Sequence, residues 1–109
     1  MAADQNARAK LVQFLDQKAF DPILRANPDR YSGTDKDKLE HIKGATERTQ
    51  QRYHHDYTSA EEVCARFRED LSSSSAQRVQ RELEQLGLPT LHDIEDEFDA
   101  LCRDLGVGR

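Results

Sequence analysis

The sequence predicts an all-α fold: a small antiparallel helix bundle of four main helices plus one short helical turn, in a single domain over residues 1–109. Apolar residues recur at steps of three and four along most of the chain, which is the period of a helix with one buried face. Almost no segment alternates apolar and polar residues, so strands are not expected. Leu, Ile, Val and Phe make up only about a fifth of the chain, and the core should therefore be thin.

The first predicted helix covers residues 4–19, and Asp4 is its predicted N-cap because Asp side chains accept hydrogen bonds from the first free amides of a helix. Its apolar stripe consists of Ala7, Leu11, Phe14, Leu15 and Ala19. A short helical turn is predicted over 21–26, since a proline near its start lacks the N–H that a helix start leaves free. Residues 27–34 are expected to form a loop that Tyr31 anchors.

The longest predicted helix, residues 35–56, carries the weakest apolar stripe. This stripe consists of Leu39, Ile42, Thr46, Thr49 and Tyr53. Two threonines thus occupy positions where a firmly packed core would have Leu or Ile. Two interpretations remain open: the helix docks only shallowly on the bundle, or its stripe meets something outside the domain.

A capping box marks the start of the next helix. The Ser59 side chain can accept a hydrogen bond from the amide three residues ahead, and Glu62 can reach back to the Ser59 amide. The apolar stripe that follows consists of Ala60, Val63, Cys64, Phe67 and Leu71. The serine run 72–75 is expected to end this helix, because serine side chains compete for backbone hydrogen bonds.

The serine run also precedes the fourth helix, which is predicted over residues 75–86. Ser74 or Ser75 is its expected N-cap, since serine is favoured at that position. Gly87 suits the left-handed residue that follows many helices, and Pro89 cannot continue one. The helix should therefore end before Gly87.

The last predicted helix, residues 90–105, has the strongest apolar stripe, and the segment 90–109 carries most of the net negative charge. Thr90 and Asp93 have the spacing of a capping box, and residues 106–109 form a tail. The chain has a formal charge of −5, and residues 90–109 contain six acidic residues against two basic ones. Such a field repels phosphate backbones and attracts basic surfaces, so nucleic acid is disfavoured as a partner.

The composition also favours a soluble, cytoplasmic protein that does not enter a membrane. No apolar run approaches the roughly 20 residues that span a bilayer. The N-terminal residues lack the apolar centre of a secretory signal. Cytoplasmic localisation is therefore the expectation from the sequence.

Two cysteines are present, Cys64 and Cys102. They lie far apart in the sequence, and no CxxC pair accompanies them. Each stands beside an apolar helical position, which is typical of small side chains at the margin of a core. A disulfide, a redox sensor or a metal ligand is the alternative interpretation.

Two histidines, His54 and His55, lie at the end of the longest predicted helix. Adjacent side chains point about 100° apart on a helix, whereas two metal ligands on one helix need a spacing of three or four residues. The pattern is typical of a polar helix end. A metal or small-ligand site that uses His54 and His55 is kept as the alternative function, and no cofactor is implied.

No catalytic motif is present in the sequence, which lacks GxSxG, a glycine-rich phosphate loop and HExxH. We therefore expect a non-enzymatic protein that binds another protein or, as a homodimer, its own copy. An enzyme whose site forms only between chains is a third hypothesis. One candidate contact surface consists of Tyr53, His54, His55 and Tyr57. A second, acidic surface consists of Asp93, Asp96, Glu97 and Asp99.

Overall fold

The computed structural model describes residues 2–107, with side chains from Asp4 onward. Within this range the chain forms helices and no strand, which confirms the all-α prediction. The α-helices are α1 (Ala2–Leu15), α2 (Asp21–Arg25), α3 (Gly33–His55), α4 (Ala60–Ser72), α5 (Ser74–Gln85) and α6 (Glu95–Asp104). All but α2 have ten residues or more, and these five correspond to the five longer segments predicted in turn, one more than the overall prediction of four main helices. Positions 108–109 of the predicted tail lie outside the described residues.

The first predicted helix and the short helical turn form one continuous rod. After α1 the chain makes one turn of π-helix, Asp16–Phe20, and passes without a break into α2. Asp4 is not the N-cap of this rod, because α1 begins at Ala2. The Asp4 carboxylate instead accepts a hydrogen bond from the amide of Ala60 (3.3 Å). Asp4 therefore caps the start of α4, a different helix.

Arg8 on α1 fastens the C-terminal end of α3. Its guanidinium donates hydrogen bonds to the carbonyl oxygens of Tyr53 (3.0 Å), His54 (2.6 Å) and Tyr57 (2.5 Å). The last carbonyl oxygens of a helix have no hydrogen-bond donor within the helix and carry partial negative charge. A guanidinium provides both the donors and the opposite charge. This contact fixes the end of α3 against α1.

The apolar side chains form two separate clusters. The main core lies between α1, α4 and α6, where the Phe67 and Phe98 rings stack with centroids 4.0 Å apart. The second cluster consists of Ile23, Leu39, Ile42, Leu83 and Leu86. The helix α3 runs from one cluster to the other, and the molecule is elongated, with extents of 48 × 21 × 19 Å.

Both predicted capping boxes form, each with one departure. Ser59 Oγ accepts from the Glu62 amide (3.1 Å), but the Glu62 carboxylate accepts from the Thr58 amide (2.9 Å) instead of the Ser59 amide. Thr90 and Asp93 each bond the other's amide through the side chain, both at 3.1 Å. Asp93 itself lies in a 3-10 turn, His92–Ile94, so α6 begins later than predicted.

The two ends of α5 are defined by single residues. Ser73 Oγ accepts a hydrogen bond from the Ala76 amide (3.2 Å), and the prediction of Ser74 or Ser75 as the cap is wrong because α5 begins one residue earlier. Gly87 has the left-handed φ of +74° that was predicted. The helix α5 therefore ends before Gly87, as predicted, and begins at Ser74, one residue earlier than predicted.

The loop before α3 is anchored as predicted. The Tyr31 hydroxyl donates a hydrogen bond to the carbonyl oxygen of Leu86, at the end of α5 (2.9 Å). Lys43 on α3 donates to the Ala26 carbonyl at 2.7 Å. Together these bonds hold the loop across the second apolar cluster.

Candidate functional site

An open cleft lies where the two apolar clusters meet, between the middle of α3 and α5. Its volume is about 230 Å³ and its wall is mostly apolar. We call it the junction cleft. Its lining includes Ala45, Thr46, Thr49, Asp70, Ala76 and Val79, together with Ala19 and Phe20 of the π-helical turn. A second cavity of the described residues, beside Gln77 and Arg81, is larger (about 390 Å³) but more polar, so the more apolar junction cleft is taken as the candidate functional site.

The threonine stripe of α3 explains why this space is not filled. Thr46 is buried and Thr49 is half-buried, and both line the junction cleft. The Thr49 hydroxyl donates to the Ala45 carbonyl one turn earlier (3.0 Å), so it is satisfied within its own helix. Because these side chains are shorter than Leu or Ile, the middle of α3 does not fill the space in front of α5. The weak stripe seen in the sequence thus becomes one wall of the cleft.

Asp70, near the end of α4, places a carboxylate in the junction cleft. Its Oδ2 accepts a hydrogen bond from the Tyr53 hydroxyl (2.8 Å). Its Oδ1 has no hydrogen-bond partner among residues 2–107, and neither Arg52 nor Arg66 forms an ion pair with it. Burial, reinforced by the negative charge of Glu69, raises the pKa of the Asp70 carboxyl above its usual 3.8.

Tyr53 supports this carboxylate from the core and does not lie on a contact surface. Its side chain is 1 % exposed and packs between the rings of Phe20 (centroids 5.6 Å apart) and Tyr57 (4.9 Å). Burial and the neighbouring charge of Asp70 raise the pKa of the Tyr53 hydroxyl, which therefore stays a hydrogen-bond donor. The prediction of Tyr53 as a surface residue is corrected for this reason.

The π-helical turn brings Ala19 and Phe20 to the wall of the junction cleft. Gln50 on α3 donates hydrogen bonds to the carboxylates of Asp16 (2.9 Å) and Asp21 (3.2 Å), at the two ends of this turn. Single π-helical turns within α-helices are frequent at functional sites, since they shift the side chains that follow. Here the shifted segment lies directly at the cleft.

The other three residues of the first candidate contact surface, His54, His55 and Tyr57, have different surroundings. His54 Nε2 lies 2.8 Å from a carboxylate oxygen of Asp16, whereas His55 is exposed. Tyr57 is half-buried, lines the junction cleft and has the guanidinium of Arg66 5.4 Å from its ring centroid. Of the four residues, only Tyr57 belongs to the wall of the cleft in the described part of the chain.

The acidic surface on α6 is likewise partly used inside the molecule. Asp93 caps the turn before α6, and an oxygen of Asp99 lies 3.8 Å from the Arg68 guanidinium. Asp96 and Glu97 are exposed and make no hydrogen bond or ion pair within residues 2–107. Two of the four predicted residues thus remain available to a partner.

The described residues contain no preformed metal site. No group of three His, Cys, Asp or Glu side chains there could hold a metal ion. Cys64 and Cys102 are free thiols, fully buried in the main core and not at its margin. The neighbouring Cys64 thiol, together with burial, raises the pKa of the Cys102 thiol.

The chain was compared with models of protein families, with curated proteins and with solved structures, and none of them matches it. Residues 2–107 contain no helix with the length and apolar character needed to cross a membrane. The functional argument therefore depends on the geometry of the junction cleft itself.

Proposed function

We propose that this chain is a non-enzymatic binding module, which recognises another protein by receiving one of its side chains in the junction cleft. The observation that carries the proposal is an open, mostly apolar cavity of about 230 Å³ between α3 and α5. Sites for small molecules and cofactors are usually larger, about 300–1,000 Å³. Protein interfaces often depend on a single anchor side chain in a small, well-packed pocket. The size of the cleft therefore favours a side chain over a cofactor.

The chemistry of the lining supports binding more than catalysis. The side chains that form the cleft include one carboxylate, Asp70, and one guanidinium, Arg52, but no His, Cys or Lys. Ser73 and Ser75 also line the cleft, but Ser73 Oγ already caps α5 and no hydrogen bond among residues 2–107 joins either hydroxyl to the Asp70 carboxylate. A cleft with these groups can hold and orient a partner without altering its covalent bonds.

A different protein is favoured over a second copy of this chain. The chain carries a net charge of −5, so two copies repel one another at long range. The same field attracts a basic partner and increases the rate at which it associates. Light scattering against concentration tests this choice, and we expect the mass of a monomer throughout the range.

Affinity capture with a blocked cleft tests the proposal. The immobilised chain is incubated with a lysate of the organism that encodes it, and the retained proteins are identified by mass spectrometry. In an Ala76→Phe variant the new ring projects into the cleft, because Ala76 is half-buried in its wall. Ala65→Phe is the matched control, since Ala65 is exposed on α4.

We expect one protein to be retained by the wild-type chain and by Ala65→Phe, and to be lost with Ala76→Phe. Retention of that protein by all three chains would place the contact elsewhere on the surface. Retention of nothing by the wild-type chain would contradict the proposal itself. Circular dichroism of both variants checks that each one remains folded.

A further inference from the structure

We propose that the side chain received by the junction cleft is a lysine or an arginine, whose charged end binds Asp70 Oδ1 and whose aliphatic stem lies along the apolar wall. This inference rests on the proposed function and adds the chemistry of the partner. It also assigns a role to the Asp70 oxygen that is open to solvent and accepts no hydrogen bond from residues 2–107.

The state of Asp70 is the first argument. One oxygen is held by Tyr53 at 2.8 Å, whereas the other has no hydrogen-bond partner among residues 2–107. Asp70 is half-buried and this second oxygen is open to solvent, so a group from outside can reach it, and charged donors are the strongest partners of a carboxylate. The cations nearest to it do not serve this purpose, because Arg66 is paired with Glu69 (3.2 Å) and Arg52 is exposed. A donor from outside the chain would complete the site.

The apolar wall is the second argument. Ala45, Ala76 and Val79 present methyl groups to the cleft, and Asp70 is the one carboxylate in its lining. Lysine and arginine have aliphatic stems that pack on apolar surface while their charged ends reach a polar partner. A purely apolar anchor would fill the space and leave Asp70 further desolvated. An acidic anchor would be repelled by Asp70, and its one cationic partner in the lining would be the exposed Arg52. The lining therefore matches a long basic side chain better than the other types.

The rigidity of the site is the third argument. Tyr53, which orients Asp70, is wedged between two aromatic rings, and Arg8 holds the end of α3 that carries it. A carboxylate held in place before binding loses little entropy when it captures a flexible cation. These contacts lie inside the molecule, so the orientation of Asp70 does not depend on a partner.

Blocked amino acids provide the probes for the test. We would titrate the 15N-labelled chain with N-acetyl-lysine methylamide and N-acetyl-arginine methylamide, and follow the amide signals of Thr49, Asp70 and Ala76. N-acetyl-norleucine methylamide has the same stem without the charge, and N-acetyl-glutamate methylamide has the opposite charge. We expect saturable shifts with either basic probe, confined to the cleft, and affinity at least about tenfold weaker for norleucine. Glutamate should produce no shift.

Variants then connect the binding to Asp70. Asp70→Asn keeps the shape and an acceptor for Tyr53 but removes the charge, and it should weaken the basic probes by about tenfold or more. Asp96→Asn makes the same change on the exposed face of α6 and should leave their affinity unchanged. Ala76→Phe blocks the cleft while Asp70 is retained, so it gives an independent test if Asp70→Asn fails to fold.

Several outcomes would overturn the inference. Equal binding of the norleucine and lysine probes would mean that the cleft selects apolar stems. Binding of n-butylammonium without binding of the blocked lysine would mean that the cleft takes a free amine and excludes a peptide backbone. Dissociation of a wild-type dimer by the lysine probe would assign the cleft to a second copy.

Failure of the inference and failure of the proposed function are distinguishable. If the capture experiment finds a cleft-dependent partner but the basic probes do not bind, the proposed function stands and the anchor has another chemistry. If the probes bind as expected but capture does not depend on the cleft, the cation site stands and the proposed function is wrong.

Discussion

Replacement of Asp70 by asparagine should stabilise the protein at neutral pH. Asp70 is half-buried, lies in the last turn of α4 and is next to Glu69. Burial, the negative end of the helix dipole and the neighbouring negative charge all disfavour its ionised form. Asparagine has the same shape and can still accept the hydrogen bond from Tyr53. The ionised Asp70 carboxylate therefore destabilises the fold, and a residue with a purely structural role would not need this charge.

The pKa of Asp70 determines how this effect depends on pH. Its pKa in the folded chain is raised above the usual 3.8, so the folded state binds this proton more tightly than the unfolded state does. The stability associated with that proton is fully present below about pH 4 and is lost as the pH rises through the raised pKa. Wild-type and Asp70→Asn chains should thus differ most at pH 7 and least near pH 4.

The expected gain at pH 7 is about 0.5–2 kcal/mol, the usual size of a single stabilising substitution. For a domain of this size the gain corresponds to a rise in Tm of about 4–8 °C per kcal/mol. Urea unfolding followed by circular dichroism at pH 7 and pH 4 measures it, with Asp96→Asn as the matched control. The control should stay within about 0.5 kcal/mol of wild type because Asp96 is exposed. A loss of stability at pH 7, or an equal gain at both pH values, would refute the reasoning about Asp70.

Other substitutions test the contacts that shape the fold, all by urea unfolding at pH 7. Arg8→Met removes the hydrogen bonds to the end of α3 and should lower the free energy of unfolding by about 2–3 kcal/mol. Its control, Arg78→Met, lies on an exposed face and should change stability by less than about 0.5 kcal/mol. Equal losses in the two variants would mean that the Arg8 hydrogen bonds do not hold the end of α3. Ser59→Ala removes the N-cap of α4 and should cost about 0.5–2 kcal/mol, and no loss would mean that the cap is dispensable. Gly87→Ala should cost about 1 kcal/mol because φ is +74°, although a Cβ there meets nothing within 4 Å. Gly44→Ala should instead stabilise α3 by about 1 kcal/mol, since an added Cβ makes ordinary contact with Arg48 at 3.6 Å; effects of the same sign at both glycines would contradict this contrast.

The helices could be predicted from the sequence because their signals are local. The apolar steps of three and four, the Ser59 cap and the left-handed Gly87 all act within a few residues of the chain. The two threonines in the stripe of α3 were also an informative signal. Threonine is shorter than Leu or Ile, so the two threonines indicated that the buried face of α3 is not fully packed. In the structure they form one wall of the junction cleft.

The junction cleft itself depends on contacts that a local pattern does not reveal. The π-helical turn has no separate periodicity over five residues, and it is tied to α3 by bonds from Gln50, which lies 34 residues beyond Asp16. The sequence placed Tyr53 both in the apolar stripe of α3 and on a candidate contact surface, and its burial agrees with the first placement alone. Its true partner, Asp70, is 17 residues away in the sequence and on another helix.

One weak signal for Asp70 was present in the sequence. It follows Phe67 by three residues and precedes Leu71 directly, so it lies at the edge of the buried face of α4. An acidic residue at such a position is either partly buried or at the margin of the core. Which of the two applies depends on how α3 and α5 pack against that edge, and this packing is not encoded in the local pattern.

Intermolecular nuclear Overhauser effects between N-acetyl-lysine methylamide and the wild-type chain test most directly whether the junction cleft holds a basic side chain. We expect contacts from the lysine β- and γ-methylene protons to the methyl groups of Ala76 and Val79, and all of them should disappear in Asp70→Asn. Contacts confined to the exposed acidic residues of α6, or cleft contacts of equal intensity in Asp70→Asn, would contradict the claim.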